Sequence, residues 1–178
     1  VNHSANAVRK NIVFNTKSSV VYLLNPQTGQ TGVTNATSSN HKTTVYLDLA
    51  PGEAIIVQTS NQPRKNKQVY PIIATSNKPI ALQNQWTIHF SNGGPFLPST
   101  KRITTLQPWT RIEGDTSVLS FSGTGSYTTH VSLSNKHADD YILTLEKVYE
   151  SAKVIVNGKE AGLIWSVPYS LSIGKYLH

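Results

Sequence analysis

The chain contains no cysteine, so it has neither a disulfide framework nor a thiolate for metal binding or nucleophilic attack. Its stability must come from packing. Methionine is absent as well, even at position 1, and Val1-Asn2-His3-Ser4 does not read as a natural start; the expectation is a piece of a longer polypeptide. No apolar run approaches the roughly 20 residues that cross a bilayer as a helix, and no basic segment followed by an apolar one opens the chain as an export signal would. Charge is scarce at 14% of residues, and acids are scarcer than bases, nine against sixteen, for a net charge of +7. That excess raises an anionic partner as a function class. The bases are dispersed, however, and their densest run, Arg64-Lys65-Asn66-Lys67, sits in a polar, proline-bearing stretch as solvated loop charges do.

What is present is a succession of short apolar runs rich in Val, Ile, Tyr and Thr, bounded by Gly, Pro, Asn or Ser, which is the pattern of strands and not of helices. Strands are expected at 11–15, 20–24, 43–49, 53–59, 69–74, 80–82, 86–91, 117–122, 126–133, 141–145, 152–156 and 160–165. Along 43–49 the alternation puts Val45, Leu47 and Leu49 on one face. Asn25-Pro26-Gln27-Thr28-Gly29 and Ala50-Pro51-Gly52-Glu53 both read as hairpin connections, with proline pre-setting one dihedral and glycine free to take positive φ. Asn157-Gly158 is the strongest two-residue hairpin signal, because a type I′ turn needs positive φ at both central positions. At 178 residues the chain can bury a core as one domain or two small ones. The polar stretch 62–68 marks the expected boundary, giving a small antiparallel β-domain over 1–62 and a second β-sandwich over 69–178.

The segment Ala152 to Tyr169 (AKVIVNGKEAGLIWSVPY) resembles the strand, Asn-Gly hairpin, strand, Trp-x-x-Pro-aromatic signature of galactose-binding-like modules attached to glycoside hydrolases. Upstream, Trp86 to Phe90, the Gly93-Gly94-Pro95-Phe96-Leu97-Pro98 run, Trp109-Thr110, and Phe121 to Tyr127 occur in the order found in the C-terminal parts of large bacterial α-L-rhamnosidase-like glycoside hydrolases. Asn25 to Gly29 and Leu49 to Ala54 resemble the small β-domain that follows the catalytic barrel there. The resemblance implies an all-β fold: a galactose-binding-like antiparallel β-sandwich of jelly-roll type preceded by a small β-domain. It also implies a closing strand after the last hairpin, where this chain stops at Gly174-Lys175-Tyr176-Leu177-His178; the sandwich is expected to be truncated, with an edge that favours association with another copy.

Catalytic chemistry finds little to stand on. Glycoside hydrolysis normally uses two carboxyl groups ~5 to 9.5 Å apart, and the acidic clusters are limited to Asp139-Asp140 and Glu146 with Glu150, which read as loop charges. The resemblance points the same way, since the acids of such enzymes lie on a barrel that is not in this chain. Six histidines lack zinc-ligand spacing, no Gly-x-Ser-x-Gly is present, and Gly123-Thr124-Gly125 lies between strands, the wrong context for a phosphate loop. Sugar contacts, by contrast, need flat rings for the apolar pyranose face and amides or carboxylates for the hydroxyls. The candidates are Trp109, Tyr127, Trp165 and Tyr169, with Asn92, Asp139 and Asp140 as polar companions. Trp86 and Trp165 are expected in the core, and Trp109, beside Pro108, is expected at the surface. No cofactor is expected; the resemblance admits a structural calcium ion at Asp139, Asp140 and backbone carbonyls.

The function expected is a non-catalytic carbohydrate-binding or structural accessory module of a secreted, periplasmic or cell-surface bacterial glycoside hydrolase acting on plant-type polysaccharide. Its partners would be oligo- or polysaccharide and the catalytic domain of the same parent chain, with neither membrane nor nucleic acid. The alternatives are a fragment with residual hydrolase activity and a charge-driven binder of anionic polysaccharide.

Overall fold

The computed structural model describes residues 1–63, 68–72, 79–112, 114–133 and 138–177. They are almost all β and antiparallel, and fall into two compact units: Val1–Ala74 with Ala138–His178, and Thr75–His137. This grouping is not the one expected from the polar stretch at 62–68.

The larger unit begins with six strands: β1 (Val8–Phe14), β2 (Val20–Leu24), β3 (Thr31–Thr34), β4 (Ala36–Ser39), β5 (Lys42–Leu49) and β6 (Ile56–Ser60). They form two antiparallel sheets, β1-β5-β4 and β3-β2-β6, which bury an aliphatic core of Val21, Leu23, Val45, Leu47 and Leu49. β5 alternates as expected, with Thr43, Val45, Leu47 and Leu49 inside and Tyr46 and Asp48 exposed. β2 instead buries Val20, Val21, Tyr22 and Leu23 in succession, the mark of a strand covered on both faces. Thr43 is fully buried, and its hydroxyl donates to the Thr16 carbonyl at 2.6 Å while accepting from the Ser18 amide at 3.1 Å; this bonding offsets the cost of burying it.

The two turns expected as hairpins behave differently. Asn25–Gly29 joins paired strands β2 and β3, with Gly29 at φ 72°. Ala50-Pro51-Gly52-Glu53 joins strands of different sheets and is therefore a crossing between layers, not a hairpin. Asn2 holds that crossing: its side-chain amide donates to the Leu49 and Ala50 carbonyls at 3.0 and 3.1 Å, and its backbone exchanges bonds with Gly52 and Glu53.

The smaller unit is one sheet of order β8-β7-β9, from β7 (Trp86–Gly94), β8 (Lys101–Ile103) and β9 (Ser122–Thr128). Trp86, Ile88 and Phe90 of β7 point inward, where Ile88 and Phe90 meet Ile112, Val118 and Phe121 from the connecting chain. The expected strand 117–122 is instead a helix, α1 (Thr116–Leu119), with β9 starting at Ser122. Two signals decide this. Asp115 caps it by accepting from the Ser117 amide at 2.9 Å, a preferred N-cap arrangement, and the buried residues Val118 and Phe121 are three apart, a helical spacing. The other expected strands of this unit also shift: 80–82 and 129–133 are not strand, and Lys101–Ile103 is one.

The chain then returns to the larger unit with β10 (Ile142–Thr144), β11 (Ala152–Val156), β12 (Lys159–Ile164) and β13 (Ser170–Ser172), paired as β10-β13 and β11-β12. Asn157 and Gly158 take φ of 49° and 76° at the β11-β12 turn, as a type I′ hairpin requires. Two contacts show why these strands group with residues 1–74. The Gln27 side-chain amide donates to the Ser166 carbonyl at 2.7 Å, and a Cβ on Gly52 would lie 2.2 Å from Val167 Cγ2. Of the expected strand 69–74, Val69 forms a parallel bridge to Val33, and residues 73 and 74 lie outside the described residues.

Candidate functional site

The seven residues chosen as sugar contacts divide between the two units: Trp109, Tyr127 and Asn92 belong to the smaller, and Trp165, Tyr169, Asp139 and Asp140 to the larger.

In the smaller unit the aromatics are built into the core rim. Trp109 lies in a short 3-10 turn, Trp109–Arg111, and is half-buried, packing edge-on against Phe90 (centroids 6.0 Å apart) and Phe121 (5.9 Å). The ring fits because β9 leaves room: a Cβ on Gly125 would come within 3.0 Å of it. Gly123-Thr124-Gly125 is thus a stretch of β9 over which rings lie, not a link between strands. Tyr127 is half-buried, its hydroxyl donating to the Gln107 carbonyl at 3.3 Å, and burial pushes its phenol up from the ordinary value. Asn92 is exposed at φ 50°, where the β7-β9 register shifts; Asn tolerates this left-handed conformation better than most residues, so its place has a backbone cause.

The larger unit reverses the expectation for its tryptophan. Trp165 follows β12 and is 51% exposed, whereas Trp86, placed in the core, is 9% exposed as expected. The reason is alternation: Ile164 takes the buried position, and Leu163 and Trp165 fall on the outward side. Tyr169 is half-buried, and its carbonyl accepts from the Leu145 amide at 2.8 Å. Asp140 is a structural staple. Oδ1 accepts from the Tyr141 and Gly174 amides at 2.7 and 2.9 Å, and Oδ2 from the Ser172 hydroxyl at 2.6 Å. Its neighbour Asp139 is exposed.

Other carboxylates also have local work. Asp48 pairs with Arg9, Glu160 with Lys153, and Asp115 with Lys101 at 2.5 Å, while Glu53 accepts from the Ala50 amide at 2.8 Å. Hydrogen bonds from Lys101 and Ser117 hold the Asp115 carboxyl at about 2, below the ordinary 3.8. Among the described residues, no group of three His, Asp or Glu is placed to hold a metal ion.

Two surfaces escaped the motif reading. One is an open cleft of about 550 Å³ in the smaller unit, lined by Gln107, Thr110, Arg111, Ile112, Gly114 and Leu119. The other is the outer face of the sheet β8-β7-β9. The inward residues alternate with Thr87, His89 and Ser91 on β7 and with Thr124, Ser126 and Thr128 on β9. Paired across the strands are Thr87 with Thr128, His89 with Ser126, and Ser91 with Thr124, and Arg102 of β8 stands opposite Thr87. The polar half of the alternation carried that signal.

No family model matches the chain. The chain has the fold of part of a rhamnosidase from Novosphingobium sp. PP1Y, with a TM-score of 0.77 and 24% identity over 98% of this chain and 16% of that one. A protein of Formosa agariphila that carries the name of a beta-glucuronidase is 30% identical over 109 residues, 57% of this chain and 9% of that protein. The chain therefore spans a small part of each, and no membrane-crossing helix is present among its described residues. It is a nearly all-β chain with the fold of a segment of that bacterial rhamnosidase.

Proposed function

We propose that the chain is a non-catalytic accessory β-module of a larger, exported glycoside hydrolase, contributing support or carbohydrate contact while hydrolysis takes place elsewhere in the parent protein. The observation that carries this reading is the match of 98% of the chain to only 16% of a rhamnosidase. Five carboxylates give it partial support, since Asp48, Glu53, Asp115, Asp140 and Glu160 are engaged in ion pairs, caps and staples. Asp139, Glu146 and Glu150 are exposed, so whether a pair can face a scissile bond, as hydrolysis requires, is decided by the test below.

For carbohydrate contact in the larger unit, Trp165 has the exposure a sugar platform needs. The ring of Trp109 is spent on Phe90 and Phe121. The name of the Formosa agariphila relative brings uronic acids in beside rhamnose as the sugar class of the parent protein. Affinity electrophoresis of the folded chain against rhamnose-containing, uronate-containing and neutral glycans tests the reading. Retention by one class, with the glycan recovered uncut, is expected; release of shorter oligosaccharides would overturn the accessory assignment.

A further inference from the structure

Among the described residues, the outer face of the β8-β7-β9 sheet is polar throughout, and its charge, from Arg102, has one sign. Thr87, His89, Thr124, Ser126 and Thr128 present hydroxyls and an imidazole in register across two strands. Arg102 lies at the edge, exposed and without an ion-pair partner among the described residues. Asp115, the acidic residue of this unit among the described ones, is held by Lys101, which alternates with Arg102 onto the opposite face. Residues 75–137 carry five Lys and Arg against two acids in sequence. A solvated sheet face ordinarily mixes both signs; among the described residues this one offers donors and positive charge with no carboxylate.

We infer that this face binds a uronate-bearing polysaccharide, with the Arg102 guanidinium taking a sugar carboxylate and the Ser and Thr rows taking ring hydroxyls. The planar guanidinium fork matches a carboxylate in two parallel hydrogen bonds. The hydroxyls both donate and accept, as sugar hydroxyls do. A flat strand surface suits an extended chain better than a single sugar, which would need a concave pocket. The ligand class rests on the carbohydrate reading above, whereas the absence of catalysis plays no part in it, so the two can fail separately.

The test is affinity electrophoresis of the full chain through polygalacturonate, a neutral galactan and dextran sulfate, each at low and high salt. Retardation by polygalacturonate that salt relieves, with none by the galactan, is expected. Arg102→Gln should weaken it about tenfold, as loss of one charge-assisted pair does, and Ser126→Asp, which sets a carboxylate beside His89, should abolish it. Lys159→Gln, in the other unit, should leave it unchanged. Absence of retardation, an equal loss in Lys159→Gln, or retention by dextran sulfate as strong as by polygalacturonate overturns the inference, the last by showing charge without carboxylate recognition. Folding of each variant is checked by circular dichroism, and retention of binding by both folded face variants would likewise overturn it. None of these results bears on the accessory assignment, which fails instead if any glycan is cut.

Discussion

The two units solve the same problem, covering one face of a sheet, with different materials. In the larger, two sheets close on each other and the space between them is filled by Val21, Leu23, Val45, Leu47 and Leu49. In the smaller, a single sheet is covered by irregular chain and one short helix, and the filling is half aromatic, Phe90, Phe121, Trp109 and Tyr127 beside Ile88, Ile103, Ile112 and Val118, whereas in the larger the aromatics Phe14 and Tyr70 only flank the aliphatic cluster. Two pleated faces interdigitate with small branched side chains, because each strand presents a residue every second position. A turn and a one-turn helix present side chains at irregular spacing, so larger rings bridge the gaps. Glycines on the facing strand then admit those rings.

This contrast can be broken by mutation. The largest effect is expected from Phe121→Ala, which removes a ring packed 5.3 Å from Phe90 and should cost ~3 to 5 kcal/mol, measured by urea unfolding. Leu47→Ala in the aliphatic core should cost ~2 to 4 kcal/mol, because smaller neighbours close over the cavity more easily. Gly125→Ala sets a methyl 3.0 Å from the Trp109 ring and should cost ~1 to 3 kcal/mol by overpacking, visible as changed tryptophan fluorescence. Asp115 supplies a test by pH: with its carboxyl at about 2 in the folded state against an ordinary 3.8, its contribution is complete above the ordinary value and fades as pH falls towards 2. In Lys101→Ala that carboxyl should titrate at higher pH, followed by carboxyl NMR. The smallest effect is expected from Trp165→Ala, under about 1 kcal/mol, since half the side chain already meets solvent.

The same contrast explains what the residues disclosed in advance. Strands β2 and β11 fall where their Val-rich runs lie, and the Asn157-Gly158 turn follows from its two positive φ values. The paired sheets of the larger unit obey a period of two, which can be read along the chain. In the smaller unit Val118 and Phe121 obey a period of three within a Ser- and Thr-rich run, and Asp115 as a cap was the overlooked signal. β3, β4 and β13 contain too few apolar residues to announce themselves; their partners hold them in place.

The candidate site was less legible, because exposure of an aromatic depends on which neighbours arrive from distant sequence. Pro108 suggested that Trp109 faces water, yet Phe90 and Phe121 enclose it, while Ile164 takes the core position that Trp165 was expected to fill. Asp140 as a staple depends on Ser172 and Gly174, more than thirty residues away in the chain.

The accessory reading holds that hydrolysis takes place outside this chain. The direct measurement is release of aryl alcohol from an aryl α-L-rhamnoside and an aryl β-glucuronide by the purified, folded chain, with Asp139→Asn and Asp140→Asn alongside. The expected result is release no faster than in buffer for all three proteins. Release by the unmodified chain that either substitution removes would contradict it.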